Sequence, residues 1–509
     1  MRPLLLAAGA LFLSAPAQAE WYRASSEHFL IYSEQKPDMI RKFAENLEKF
    51  DGAVRAVRGM SDLPLSQGNR ITIFSLRSPA DVQRLANDKS GFLDGFYKGR
   101  AAGSVAFVSR GGESNDRLGT YTILLHEYAH HLMMQDVAVP YPEWLVEGFA
   151  EFMSTAQIER DGTVGLGLPA THRYYGLVNL QQLPLETLLS GRYDKISSEE
   201  HESIYGRGWL LTHYLTFEPS RKGQLAAYLQ SLATGADPLD AARTAFGDIR
   251  KLERDLSSYL HRSKLAYLKI SGSALNVAPI QVTRLSAGGS AVVPMLVEVS
   301  NGVRADAAET LAQKVRALEA LNPGDELVET TLAEVELAAN HSEAAEAAAG
   351  RALKANSRNP EALVLKGRAI AERADKADRE KRAALFEQAR QTFVAANALD
   401  KEDPEPLYEF YRTFVVEGVR PNANAIAALH YASDLAPQDL GLRMNSAVAY
   451  LNEGKRKEAR STLVVVAYSP HVGQMGDVAR RMIIAIDGGN TKAALGQLGR
   501  APRQASDGE

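Results

Sequence analysis

From Trp21 to about Arg110 the apolar positions follow two rhythms in turn. "HFLIYSE" (His28 to Glu34) and "RITIFSL" (Arg70 to Leu76) are short β-branched and aromatic runs that predict strands. Between them, "DMIRKFAENLEKFDGAVRAV" has helical spacing, with Ile40, Phe43, Leu47 and Phe50 on one face. "GSVAFVS" (Gly103 to Ser109) predicts a third strand just before a helical segment. This half reads as α+β. From Leu118 to about Leu268 the pattern is helical, and "APIQVTRLSAGGSAVVPMLVEVS" (Ala278 to Ser300) then reads as a short strand pair or linker.

The chain beyond Ala307 is rich in Ala, Leu and Glu, and it repeats. Prolines at 323, 360, 404, 437 and 470 are separated by 37, 44, 33 and 33 residues, near the roughly 34-residue period of tetratricopeptide helix pairs. Small-residue segments such as His341 to Asn356 and Gly454 to Val466 fit the second helix of that unit. The longest gap holds the charged insert Glu372 to Arg382, expected as an extended helix or a loop. The resulting division is a leader over 1–19, an α+β domain over 20–275 and a β or linker segment over 276–306. A tetratricopeptide-like array over 307–499 and a polar, disordered tail over 500–509 follow. Such arrays bury their core between neighbouring units, so the two halves are expected to fold apart.

The first residues change the picture of where the protein works. Arg2, the apolar run Pro3 to Leu13 and the small-residue site Ala17-Gln18-Ala19 predict a cleavable secretory signal, cut after Ala19. A periplasmic or secreted location follows as an expectation. The chain has no cysteine, so disulfides and thiolate ligands are excluded and any metal must be held by His and carboxylates. The net charge of -4, without basic clusters, gives no support for nucleic-acid binding. No later stretch is long and apolar enough for a membrane span.

The segment "TYTILLHEYAHHLMMQ" (Thr120 to Gln135) carries the candidate chemistry. On a helix His126 and His130, four apart, can aim ring nitrogens at one ion, while Glu127 lies one step round, within reach of a water there. A catalytic zinc wants three protein ligands and an open position. "YPEWLVEGFAEFM" (Tyr141 to Met153) offers the third, Glu147, with Pro142 suited to the first helical turn. Glu151, one turn on, can accept the second ring N–H of a ligand histidine. The plain alternatives are two polar histidines on a half-exposed helix and a solvated pair of glutamates.

These residues resemble the gluzincin zinc metallopeptidases, the superfamily of thermolysin and the zinc aminopeptidases. A similar W-L-x-E-G-x-A segment in the aminopeptidase branch provides the glutamate ligand, which implies that role for Glu147. The likeness runs roughly from Leu118 to Leu215 and is nearest to peptidase MA-like proteins, some of which carry tetratricopeptide repeats. No G-x-M-E-N-type segment precedes the zinc motif, so aminopeptidase activity is not implied. In such enzymes an edge strand pairs with an extended substrate, and "GSVAFVS" stands in its place. "HESIYGRGWLLTHYL" (His201 to Leu215) resembles the helix that presents a tyrosine or histidine to the tetrahedral intermediate. Tyr205 is the candidate, with His201, Arg207 and His213 as competitors and a core position beside Trp209 as the alternative. His131 and Tyr128 read as structural.

The implied activity is a Zn²⁺-dependent peptidase with Glu127 as general base and the repeats binding a protein partner or substrate. Two other functions fit the same residues. One is a repeat-based adaptor whose metal domain no longer catalyses; the other is a zinc hydrolase of a non-peptide bond.

Overall fold

The computed structural model describes residues 20–61, 65–89, 91, 93–110, 120–135, 141–193, 196–469 and 473–498. The expected leader with its cleavage site, the polar tail and Pro470 lie outside the described residues.

The strands are β1 (Tyr22–Ser25), β2 (Phe29–Ser33), β3 (Ile71–Leu76), β4 (Gly95–Lys98) and β5 (Val105–Ser109). After them come β6 (Gln157–Ile158), β7 (Val164–Leu166), β8 (Leu268–Ile270) and β9 (Gln281–Arg284). The main sheet has the order β4-β5-β3-β2-β1-β9; β6, β7 and β8 form a small separate one inside the stretch expected to be helical. Strands β2, β3 and β5 run parallel, and β4, β1 and β9 pair antiparallel to their neighbours. The "GSVAFVS" strand is therefore interior. Gly95–Lys98 covers its outer side, and β4 is the edge.

Because strand side chains alternate, the sheet has two apolar faces. Phe29, Ile31, Ile71, Ile73, Ala106 and Val108 point one way, into a cluster with helices α1 (Pro37–Arg58) and α3 (Thr120–Gln135). Tyr32, Phe74, Leu76, Val105 and Phe107 point the other way. Phe74 stacks between Tyr32 at 5.4 Å and Phe107 at 5.5 Å.

The remaining helices of the first half are α2 (Pro79–Leu85), α4 (Glu143–Ser154), α5 (Tyr174–Asn179), α6 (Leu185–Ser190), α7 (Ser198–Phe217), α8 (Gln224–Ala233), α9 (Pro238–Phe246) and α10 (Ile249–Leu260). Helices α4 and α7 cross at a glycine pair. A Cβ on Gly148 would stand 2.3 Å from the Gly208 carbonyl, and one on Gly208 would stand 2.4 Å from the Trp144 oxygen. Glu147 and Tyr205 lie beside this crossing, so it sets how closely they approach.

Ala287–Asn301 folds as helix α11, where a strand pair or linker was expected. Its buried residues include Gly288, Ser290, Val292, Val293, Leu296, Val297 and Val299, so burial on several sides erases the amphipathic period. The adjacent glycines sit in its first turn, where a Cβ on Gly288 would meet Asn322 at 2.8 Å.

The array follows as α12 (Ala305–Leu321), α13 (Glu326–Ala338), α14 (Ser342–Ala355), α15 (Pro360–Lys376), α16 (Arg379–Leu399) and α17 (Pro404–Glu417). It continues with α18 (Ala423–Leu435), α19 (Leu440–Asn452), α20 (Arg456–Tyr468), α21 (Gln474–Asp487) and α22 (Thr491–Leu495). Each helix packs on the next, and α13, α15 and α17 also contact one another in series. Asp325, Asn359, Asp403 and Asp439 cap α13, α15, α17 and α19 by accepting backbone N–H bonds. Pro360 and Pro404 open their helices, whereas Pro323 and Pro437 lie in the preceding turns. The charged insert lengthens α15 and α16, which break only between Lys376 and Arg379.

The array does not stand apart. Trp21, Tyr32, Phe74, Leu76, Val105 and Phe107 share one buried cluster with α11 to α15, including Val293, Leu311, Val328, Leu332 and Leu365. Polar contacts extend it: Asp400 accepts from the Gln67 N–H at 3.0 Å, Glu402 O from Asn69 at 2.9 Å, and Asp439 from the Ala101 N–H at 2.8 Å. The expectation of separately folding halves gives way to a sheet covered on one face by each.

Candidate metal centre

Helix α3 brings His126 and His130 to one face, and α4 packs on it with Glu147 and Glu151 one turn apart. Pro142 occupies the N-cap of α4, just ahead of the first turn predicted for it. His126 Nε2 lies 3.1 Å from His130 Nε2 and 3.3 Å from Glu147 Oε2, and His130 Nε2 lies 3.4 Å from the same oxygen. Donors about 2.0–2.2 Å from one tetrahedral ion stand roughly 3.3–3.6 Å apart, so this triangle is the right size for one small ion. Among the described residues, His126, His130 and Glu147 are the group of His and carboxylate side chains that could hold a metal. His130 and Glu147 are buried, and His126 keeps 12% of its side chain exposed.

Glu151 stands behind His126, its Oε1 3.3 Å from Nδ1. Burial pulls the His126 imidazole down, but Glu147 and Glu151 outweigh this and hold it up at about 10. Burial favours the neutral form of Glu151, yet its partners His126, His172 and Arg173 keep it ionised well below the usual carboxylate range.

Glu127 is half-buried on α3, and its charge is felt by the Tyr97 phenol of edge strand β4. Tyr205 on α7 has its ring centroid 6.2 Å from that of His126. Burial, and then the Glu147 charge, push its phenol above the ordinary value, so it remains a donor. Trp209 and Tyr214 are core aromatics of this helix; Tyr205 is half-buried, with its ring beside His126. The competitors make other contacts. His201 is 52% exposed and 3.9 Å from Glu143, and Arg207 pairs with Glu253. His213 is enclosed, bonded to the Tyr259 hydroxyl and the carbonyls of Gly167 and Ala266.

A scan against protein-family models gave no match, and neither did a search of curated proteins. Among solved structures, a thermophilic TPR protein of Thermus thermophilus aligns at 17% identity with a TM-score of 0.33. The alignment covers 38% of this chain and 97% of that one. The helix pairing described above rests on this chain's own contacts. No helix among the described residues is long and apolar enough to cross a membrane.

Tyr128 and His131 lie on the far side of α3, as their structural reading requires. Tyr128 donates to Asp51 at 2.6 Å, and His131 bonds the Tyr97 hydroxyl at 2.9 Å and Gln135 at 3.0 Å. Sequence reasoning missed what stands behind them, a buried polar network of His28, Glu48, Asp51 and Arg55. It also missed His172 and Arg173, which reach Glu151 from the single 3-10 turn Thr171–Arg173. A basic pair in a short 3-10 turn carries no spacing that would link it to α4.

Proposed function

We propose that the chain is an exported zinc-dependent peptidase of the gluzincin type. The observation that carries this reading is the convergence of His126, His130 and Glu147 on edges of 3.1–3.4 Å, with Glu127 and Tyr205 beside them. Zinc, when bound, supplies Lewis-acid chemistry that acidifies water and polarises a carbonyl. Glu127 takes the proton of the attacking water as its oxygen bonds to the peptide carbon. The same carboxyl returns that proton to the nitrogen as the C–N bond breaks. Tyr205 donates a hydrogen bond to the oxyanion, where a preorganised donor is most effective. The short strand β4, at the sheet edge next to α3, is the surface for an extended substrate.

The tetratricopeptide-type array is assigned a protein partner or substrate. Its first helices are committed to the sheet and α18 and α19 pack with Ala101, whereas the cluster that runs on through α20 to α22 is built from array residues alone, so that role falls to the last units. The test is metal analysis of the purified protein together with digestion of a peptide library. We expect one zinc per chain, lost on replacing His126, His130 or Glu147 by Ala. Glu127→Gln should keep zinc and lose turnover by about a hundredfold or more. Full turnover in that variant would remove Glu127 as the base, and a wild-type chain that takes up no zinc would end the proposal.

A further inference from the structure

The Glu151 carboxylate has more partners than orienting one imidazole requires. Its Oε1 accepts from Arg173 Nη2 at 2.6 Å and its Oε2 contacts His172 Nε2 at 2.7 Å, in addition to His126 Nδ1 at 3.3 Å. Glu151 is 1% exposed, so each of these bonds forms away from bulk water. Arg173 then continues to α7. Its Nη1 donates to Glu202, and its guanidinium carbon lies 4.8 Å over the ring centroid of Tyr205. Glu202 and Tyr205 are three residues apart and so share one side of α7. One planar group thus touches the carboxylate behind a metal ligand, a second carboxylate on the opposing helix and the face of the candidate oxyanion donor.

We propose that Arg173 is a positioning residue, a strut between Glu151 and Glu202 that fixes Tyr205 relative to the His126–His130–Glu147 triangle. The shape of the guanidinium is the reason. It has donors at both ends and a flat face between them, so it can bridge two carboxylates while stacking on a ring. A lysine ammonium is a single point on a flexible stem and can satisfy one of the three contacts at a time. Without Arg173, Glu151 is held by His172 alone on its outer side, and the orientation of His126 slackens with it. Tyr205 loses the surface that holds its ring. The part of this inference that concerns Tyr205 rests on the peptidase reading, whereas the part that concerns the metal does not.

The experiment uses the full chain with Arg173→Ala, Arg173→Lys and Glu202→Ala. Zinc affinity is measured by competition with a chromophoric chelator, the visible spectrum is recorded with Co²⁺ in place of zinc, and kcat and KM are measured on a cleaved peptide at saturating zinc. Both Arg173 variants should bind zinc about ten- to a hundredfold more weakly, as loss of outer-sphere support does, and should shift the cobalt bands. At saturating zinc their kcat should fall while KM stays near wild type. Glu202→Ala cuts only the α7 end, so it should keep zinc affinity and lower kcat. If Arg173→Ala does not fold, the other two variants carry the test. Wild-type affinity and kcat in Arg173→Lys would overturn the strut, as would variants that change thermal stability alone or KM alone. A wild-type protein that cleaves no peptide would remove the peptidase reading, and zinc affinity with the cobalt spectrum would still decide whether Arg173 supports the metal centre.

Discussion

A chain ending at Leu285 keeps the whole sheet, including β9, and removes α11 to α22. The face that carries Trp21, Tyr32, Phe74, Leu76, Val105 and Phe107 would then meet water wherever α2, with Val82 in the same cluster, does not cover it, although all six side chains are buried in the full chain. Burying one large apolar side chain contributes about 1.5–3 kcal/mol. The six together therefore account for roughly 9–18 kcal/mol, an upper range because unfolded chains are already partly collapsed. A domain's whole stability is about 5–15 kcal/mol, so the loss is as large as what it must come from. The shortened chain should fail to give a soluble, cooperatively unfolding monomer. Urea denaturation followed by near-ultraviolet circular dichroism, beside the full chain, reads this directly. A shortened chain that unfolds in one transition at the same urea midpoint, and takes up one zinc, would refute the shared core.

Three further outcomes follow from particular contacts. Glu151→Ala should weaken zinc binding by about ten- to a hundredfold without abolishing it, measured by chelator competition; complete loss there with retention in Glu147→Ala would exchange the two roles. Gly148→Ala places a methyl group against the Gly208 backbone and should cost about 1–3 kcal/mol or more in stability while also lowering zinc affinity, since it forces α4 and α7 apart. Burial lowers His213 to about 4, against the opposing carbonyl bonds from Gly167 and Ala266, so the unfolded chain binds the extra proton first as pH falls. Its contribution is complete above pH 6.5 and drains away toward pH 4 at up to about 1.4 kcal/mol per unit, and His213→Gln should flatten that part of the stability–pH curve.

The grouping of His126, His130 and Glu147 was legible because two of its members sit four apart on a helix and the third follows within a short, recognisable segment. Local rules also predicted β2, β3, β5 and α1, whose rhythms are strong. What stayed hidden was set by tertiary contacts. Helix α11 lost its period to burial on several sides, and β4 is too short to alternate visibly. The commitment of the array to the sheet had a faint signal. "FLIYS", "ITIF" and "VAFVS" are nearly continuous apolar runs, as strands covered on both faces should be. Nothing in the sequence told what would cover the second face. Likewise the bond from Arg173 to Glu151 depends on a turn folding back over α4, which residue spacing does not encode.

The sheet also dictates an order of events. Trp21, at the start of the described chain, donates its N–H to Ser290, 269 residues later, and β1 finds its outer neighbour only in β9. During synthesis the aromatic face of Tyr32, Phe74 and Phe107 exists long before the helices that cover it, the last of them contributing Leu365 and Ala369. Contacts so distant in sequence make closure slow, and until it happens the chain carries an adhesive surface and an unpaired strand edge. His126, His130 and Glu147 belong to the part that emerges first, yet their scaffold is complete only when the array has closed over it. A ribosome-stalled series of increasing length should therefore become resistant to protease in one late step, near the emergence of α15, and not in two.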